Sequence, residues 1–274
     1  MPVVVTKAIA ATSTGVVRAD VQLGAARQKA PEWCTEFIGF KSGGVVVTPT
    51  STQAAHARFR VASNDFSCYP STVPSVFSTG SVATNCTPPS MPMEYWPCDW
   101  PIHGGDGYDI YCMAEANNTV AALASATVYL GDGGVVPSFL DPYPHVPRFH
   151  LSGTSTALAA IPQALPDLTL TGSKAITELH GYQIDPTLAT ASRPQLGRIE
   201  YQSNGMFSSP MELEMEVTNG FLGAALVMSC PPKLSRSNVM MPCGPTTIVS
   251  PRYWQENTTA VTTTRGTAGL TFIR

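Results

Sequence analysis

The chain has 274 residues and a net charge of −3, with 43% hydrophobic and 13% charged residues. That charged share is about half of the usual one for a soluble domain, which indicates that neighbouring molecules cover part of the surface. The 16 Lys and Arg form no basic run at either terminus. The composition therefore argues against a nucleic-acid-binding protein, which needs clustered cations for the phosphates.

Neither a secretion signal nor a membrane span is predicted. Residues 1–5 (MPVVV) lack the charged region and long apolar run of a signal peptide. No stretch approaches the ~18 apolar residues of a transmembrane helix. The seven cysteines are odd in number and none is in C-x-x-C spacing, which favours buried free thiols in a reducing compartment. They are Cys34, Cys68, Cys86, Cys98, Cys112, Cys230 and Cys243.

Short strands are predicted along the first half. β-Branched or alternating runs predict strands at 3–6, 16–23, 36–41, 45–47 and 57–62. We expect an arm to end at 31–33 (PEW) and a turn at 42–44 (SGG). The best helix candidate is the alanine-rich stretch 118–126, with Asn117 and Asn118 as caps.

Residues 61–147 hold eight acidic residues and no Lys or Arg, and they include the proline-rich run 88–101. We interpret this span as strands of the first domain plus a long loop. Loops of that length are usually either functional or disordered, and the Trp and Tyr content favours an ordered one. The stretch 141–147 (DPYPHVP) is stiffened by proline and predicts an extended connection near the middle of the chain.

The second half is also predicted to consist of strands. The clearest signal is the alternation of Leu213, Met215 and Val217 with three glutamates, which is typical of a strand with one wet face. Further strands are predicted at 168–171, 176–182, 197–202, 224–228, 246–250, 260–264 and 270–273. With 24 prolines and 22 glycines between them, these strands predict an all-β chain with a sandwich or barrel in each half.

The two halves also share sequence. Residues 35–40 (TEFIGF) return as 177–182 (TELHGY), and residues 58–64 (RFRVASN) align with 198–204 (RIEYQSN). The offsets are 142 and 140 residues, so a two-residue gap reconciles them. An offset near half the length indicates two copies of one domain joined head to tail.

One glycine-rich stretch holds the residue types of a chemical site. Residues 103–109 (HGGDGYD) contain a histidine and two carboxylates that are suited to metal binding or acid–base work. We favour simple turns there and at 131–134 (GDGG), because Gly and Asp are the usual turn residues. The five histidines are scattered, and we predict no enzyme, no catalytic residues, no metal and no cofactor. They are His56, His103, His145, His150 and His180.

With its two tandem β domains and paired strands 35–40 and 177–182, the chain resembles the double jelly-roll major capsid proteins of icosahedral, membrane-containing DNA viruses. The resemblance implies two tandem jelly-roll β-sandwiches. The first would span residues 1–144, with an N-terminal arm and a long acidic loop, and the second residues 145–274. It also implies trimeric, pseudo-hexagonal capsomers, and it supplies no catalytic residues to transfer.

The resemblance implies a place in the virion, after assembly in the host cytoplasm. The expected partners are further copies of the chain, minor capsid proteins and an internal membrane, without sequence-specific nucleic-acid binding. Such assemblies bury large lateral surfaces, to which aromatic residues and methionines contribute. Trp33, Trp96, Trp100 and Trp254 are therefore candidates for contacts or for the core.

Other classes remain open at this point. A single-stranded RNA virus capsid protein, with shell and protruding domains or as a picorna-like jelly-roll subunit, is one alternative. The former usually carries a basic arm, which this sequence lacks. A tandem β-sandwich carbohydrate-binding module is another, and it would bind sugar through Tyr95, Trp96 and Trp100. A hydrolase on a β scaffold is the weakest, because no catalytic motif occurs.

Overall fold

The computed structural model describes most of the chain as β structure. No helix occurs in the described part. The described residues are 3–13, 19–22, 27–49, 56–63, 71–76, 95–115, 120–132, 146–154, 162–185, 195–204, 211–219, 235–256 and 265–274.

In the described part of the first half, nine strands form two antiparallel sheets. The strands are β1 (Val3–Ser13), β2 (Ala19–Gln22), β3 (Gln28–Lys29), β4 (Glu36–Pro49), β5 (His56–Ser63), β6 (Ser71–Val76), β7 (Tyr95–Pro101), β8 (Gly107–Glu115) and β9 (Val120–Gly131). One sheet has the order β1-β9-β4-β7, and the other has the order β2-β8-β5-β6 with β3 also paired to β8.

The described part of the second half contains nine more strands. They are β10 (Arg148–Thr154), β11 (Gln163–Ala164), β12 (Leu168–Thr171), β13 (Ala175–Asp185), β14 (Gln195–Ser203), β15 (Met211–Asn219), β16 (Ser235–Pro242), β17 (Thr246–Glu256) and β18 (Arg265–Ile273). Strands β10, β18, β13 and β16 form one sheet. Strands β11 and β12 both pair with β17. Strand β17 also pairs with β14, and β14 pairs with β15. A short parallel pairing of β13 with β15 joins the two sheets.

The two halves have the same strand order. Strand for strand, β1-β9-β4-β7 corresponds to β10-β18-β13-β16, and the sheet of β2, β3, β8, β5 and β6 corresponds to that of β11, β12, β17, β14 and β15. Two four-stranded antiparallel sheets linked in this crossing order form a jelly roll, with the second strand in chain order split into two short strands. The prediction of an all-β chain with two tandem jelly-roll sandwiches is confirmed.

A shared bulge fixes how the two copies align. In β4 the register shifts between Phe37 and Gly39 against both neighbouring strands, and in β13 it shifts in the same way between Ile176 and Glu178. Matching the bulges gives an offset of 139 residues (176 − 37 = 139). The predicted offset of 142 for this strand is therefore wrong by three residues.

The second sequence match is in register. Val61 of β5 is opposite Ser71, and Tyr201 of β14 is opposite Met211, so both ladders repeat after 140 residues (201 − 61 = 211 − 71 = 140). Both Val61 and Tyr201 are buried. Residues 58–63 and 198–203 are therefore equivalent in the fold, as the sequence predicted.

Two local predictions are wrong. Residues 120–126 belong to strand β9, because pairing with β1 and β4 on both sides outweighs the helix propensity of alanine. The predicted turn at 42–44 is a bulge, and β4 runs unbroken across it. The end of the proline-rich run 88–101 is strand β7, at the edge of its described sheet, where proline costs little.

The segment predicted as strands plus an arm holds β1, β2 and β3, and β1 pairs with β9 over its full length. Several predictions fall outside the described residues. They are the strands at 224–228 and 260–264, the loop residues 77–94 and the division between 144 and 145.

Alternating burial explains why these segments are strands. In β12, Leu168 and Leu170 are buried while Thr169 and Thr171 are exposed. In β15, Leu213 is buried between exposed glutamates, which confirms the predicted alternation there. Burying every second side chain of a strand places it on one face of a sheet, against the opposing sheet. One hydrophobic cluster includes buried residues of both halves.

Candidate functional site: the contact between the two halves

Strand β7 of the first half lies against the outer face of the sheet β10-β18-β13-β16. This contact is called the joint below. Its side chains come from β7, β10, β13, β16 and β18, and they are Trp96, Asp99, Trp100, Arg148, His150, Glu178, His180, Arg236 and Thr271.

Trp96 is the centre of the joint and is fully buried. Its ring meets His150 and His180 edge to face, with ring centroids 5.0 and 4.9 Å apart. The guanidinium of Arg236 lies 4.0 Å from the centroid of the same ring, and its Nε is 3.7 Å from Oε1 of Glu178. Cation–π contacts contribute about 0.5–2 kcal/mol, depending on how far the cation is desolvated, and the Arg236 side chain is 27% exposed.

His150 links the halves by a hydrogen bond. Its Nε2 lies 2.8 Å from the carbonyl oxygen of Pro97, which can only accept, so Nε2 carries the proton. Its Nδ1 lies 2.9 Å from Oγ1 of Thr271 and accepts from that hydroxyl. These contacts hold the neutral imidazole in one tautomer, with its proton on Nε2.

His180 has a different environment. Neither of its ring nitrogens makes a hydrogen bond of normal geometry to a described residue. The ring packs against Gly269, where a Cβ would overlap Cε1 and come within 2.7 Å of Nδ1. The backbone carbonyl of His180 accepts a 2.7 Å hydrogen bond from the hydroxyl of Tyr201, which ties the strand to its own core.

Both imidazoles are held in the neutral form. Burial, followed by the charges of Arg236 and Arg148, lowers the pKa of His150 to about 3, against a weaker opposing effect of the Pro97 carbonyl. Burial, followed by the charges of Arg236 and His150, lowers the pKa of His180 well below its ordinary value. Desolvation penalises the charged form of a buried base, and nearby cations add to that penalty.

Polar contacts close the other end of the joint. The indole Nε1 of Trp100 donates to the carbonyl of Arg148 at 2.7 Å. The guanidinium of Arg148 lies 3.8 Å from the carboxylate of Asp99, and both side chains are buried. Asp99 has a φ of 50°, the left-handed conformation that Asp tolerates better than most residues. That conformation belongs to the extra residue that β7 contributes opposite the β4 bulge.

A stack of four aromatic rings joins the two cores. Phe37 stacks on Trp100 at 5.3 Å, Trp100 on Phe149 at 5.8 Å, and Phe149 on Phe272 at 5.5 Å. Two rings come from each half. Offset stacks of this kind add about 0.5–1.5 kcal/mol per pair beyond burial. The joint is therefore packed like a domain core.

In the glycine-rich stretch 103–109, residues 103–106 form a turn, as expected, and residues 107–109 begin β8. The amide of Asp106 donates to the carbonyl of His103, and Gly105 has a φ of 85°, which favours glycine. The Asp106 carboxylate accepts a 2.7 Å hydrogen bond from the His103 amide, and Arg27 lies 3.8 Å from the carboxylate of Asp109. These contacts stabilise the loop. Among the described residues, no cluster of His, Cys, Asp and Glu side chains is suited to hold a metal ion.

The other candidate residues are dispersed. Cys34, Cys98 and Cys243 are free thiols, and burial raises the pKa of Cys34 and Cys243, which makes them poor nucleophiles. Trp33 is 43% exposed, and Trp254 is half-buried. His56 is in β5 and His145 lies outside the described residues.

The joint was not predicted from the sequence. His180 was matched with Ile38, whereas the bulge register makes it equivalent to Lys41. The sequence signal that points to β7 is its pair of tryptophans, four residues apart within a proline-rich run. The described part of the chain contains no helix that is long and apolar enough to cross a membrane.

The strand order and the joint define a tandem jelly-roll protein. No family model and no curated protein matches the sequence. Among solved structures, the chain is similar to the N-terminal CBM22-1–CBM22-2 tandem domain of Xyn10C from Paenibacillus barcinonensis. The identity is 8%, the match covers 98% of this chain and 94% of that chain, and the TM-score is 0.27. A likeness at that score carries no argument about either fold or function.

Proposed function

We propose that the chain is a major capsid protein of the double jelly-roll kind, which forms trimeric capsomers of an icosahedral shell. The observation that carries the proposal is that both halves have the same jelly-roll strand order and are fixed side by side through a buried joint. A shell tile needs two sandwiches in a constant relative orientation. In this proposal the chain resides in the virion, with minor capsid proteins and an internal membrane as neighbours.

The duplication suggests how copies would meet. In the bulge register, β16 is the counterpart of β7, and Met240 occupies the position of Asp99. Asp99 is buried by the second half, whereas Met240 is 59% exposed. Within one chain, β7 of the first half docks on the second half. If β16 of the second half docks in the same way on the first half of another copy, three chains form a closed ring of six sandwiches. A head-to-tail interface forms a closed ring when its rotation permits.

The test compares Met240→Glu with Thr169→Glu. Met240 lies on the proposed interchain edge, and Thr169 is exposed on the opposite sheet of the same half. A charge in a buried interface is strongly unfavourable. We expect trimers for the wild type and Thr169→Glu, and monomers for Met240→Glu, by size-exclusion chromatography with light scattering. A wild type that stays monomeric at tens of micromolar would overturn the proposal, as would a trimeric Met240→Glu variant.

The positions of the two tryptophans that were expected to bind sugar argue against the carbohydrate-binding alternative. Trp96 and Trp100 are buried in the joint, so neither ring offers a platform for sugar. The alternative of a single-stranded RNA virus capsid predicts different particles. Electron microscopy of assembled material separates the two viral classes, because pseudo-hexagonal trimers are expected from the double jelly-roll arrangement.

A further inference from the structure

We propose that the joint is an acid-triggered release: His150 and His180 take up protons, and the two sandwiches separate while each stays folded. This inference rests on the geometry of the joint and is independent of the proposed function. It concerns one chain and requires neither a second copy nor a ligand.

The groups that face the two imidazoles leave a new positive charge poorly compensated. Arg148 of β10 and Arg236 of β16 are cations, and Asp99 of β7 and Glu178 of β13 lie beside those arginines. Strand β18 presents Gly269 and Thr271 to the rings. Strand β6, which also packs against β10, contains no ionisable residue (STVPSV). A third and a fourth cation would therefore enter a site with two carboxylates that already pair with arginines.

The geometry also resists local adjustment. With a proton on Nδ1, His150 would donate to the Thr271 hydroxyl oxygen while Nε2 stays bonded to Pro97, so the ring and its added charge would stay in place near Arg148 and Arg236. His180 is confined between Trp96 and the backbone at Gly269. Neither ring has room to turn toward solvent while β7 remains docked. Protonation is therefore relieved by separating β7 from the sheet.

The direction of the pH effect follows from the two states. In the open joint both imidazoles have the ordinary pKa near 6.5, whereas in the closed joint burial holds the pKa of His150 at about 3 and that of His180 well below normal. The open state therefore binds more protons, and acid favours it. The opening equilibrium constant rises about tenfold per histidine for each pH unit below 6.5, which is about 10⁴-fold at pH 4.5.

The experiment uses the full chain with Trp33→Phe and Trp254→Phe, so that Trp96 and Trp100 alone report by fluorescence. As the pH falls from 7.5 to 3.5, we expect a red shift, greater acrylamide quenching and a larger radius of gyration in X-ray scattering. Far-UV circular dichroism is expected to keep its β signal through this transition. Loss of the β signal at the same pH would indicate general acid unfolding and would overturn the proposal.

The matched variants are His150→Gln with His180→Phe, against His103→Gln. Gln keeps a donor for Pro97, and Phe fits His180 because that ring makes no hydrogen bond of normal geometry. We expect the double substitution to lower the transition midpoint by at least one pH unit. His103 is exposed, and its substitution is expected to leave the midpoint unchanged. An unchanged midpoint in the double variant contradicts the proposal.

A measurement on the unmodified chain covers the case in which the double variant does not fold. Nuclear magnetic resonance of the histidine side chains reports each protonation state directly. Two imidazoles are expected to stay neutral until the joint opens and then to take up protons together with the fluorescence change. If all histidines titrate near pH 6.5 while Trp96 remains buried, the proposal is wrong.

Discussion

Gly269 allows the joint to close. A Cβ at this position would overlap Cε1 of His180 and lie 2.7 Å from the carbonyl oxygen of Leu151. The carbonyl belongs to the backbone and cannot turn aside, and the imidazole is confined by Trp96. Overpacking of this kind typically costs about 1–3 kcal/mol.

We therefore expect Gly269→Ala to destabilise the chain by about 2–3 kcal/mol, as measured by urea unfolding at pH 7.5. The matched control is Gly244→Ala, because a Cβ at Gly244 would meet its nearest neighbour, Oγ1 of Thr247, at 4.0 Å. That control is expected to change the free energy of unfolding by less than about 0.5 kcal/mol. Equal effects of the two substitutions would contradict the assigned role of Gly269.

The same residues show what the sequence was able to predict at this scale. The turn at 103–106 followed from its glycines and aspartate, since the chemistry of a turn is local. The pairing of His150 and His180 around Trp96 did not, because three separate strands bring those rings together. Their equivalents in the other copy differ in type, so the repeat gave no clue either.

At the scale of the element, β9 shows tertiary pairing overriding local propensity. Its first seven residues, 120–126, are mostly alanine and predict a helix, yet they form a central strand between β1 and β4. Bulge positions were also hidden from the sequence. The glycines at 43–44 predicted a turn, whereas they lie at a register shift within a continuous strand. Period-two patterns, in contrast, located β5 and β15 correctly.

Central and edge strands should respond differently to proline. Ala126 of β9 is paired on both sides, with Lys7 of β1 and Ser42 of β4. Proline there removes a ladder hydrogen bond and is expected to cost about 3 kcal/mol or more. Strand β1 is at the edge of its described sheet, where alternate amides point away from the neighbouring strand. Either Lys7→Pro or Ala8→Pro is therefore expected to destabilise the chain less than Ala126→Pro does. Thermal unfolding of the three variants tests this order, and a milder effect at Ala126 would refute it.

At the scale of the whole molecule, the aromatic stack couples the two jelly rolls while the joint is closed at neutral pH. Phe37 and Trp100 belong to the first half, and Phe149 and Phe272 to the second. The two cores thus meet through stacked rings, where separate domains usually meet through a polar, wetter surface. With the joint closed, the two copies are held in one relative orientation.

Unfolding at pH 7.5 is accordingly expected to be a single calorimetric transition for the wild type. Trp100→Ala removes the second ring of the stack and the hydrogen bond to the Arg148 carbonyl. Truncating a buried Trp costs about 3–5 kcal/mol. Because Trp100 contacts Phe149 across the joint, part of that loss falls on the coupling between the halves. We expect the variant to unfold in two resolved transitions, with the first half melting at the lower temperature.

Trp254→Ala is the control, because Trp254 is half-buried and contacts Arg198 of its own half, 5.4 Å from the ring centroid. It is expected to lower the melting temperature of the chain without splitting the transition. A wild type that already melts in two steps would show that the stack does not couple the halves. A Trp100→Ala variant that melts in one step would place the coupling elsewhere in the joint, at Trp96 and its two histidines.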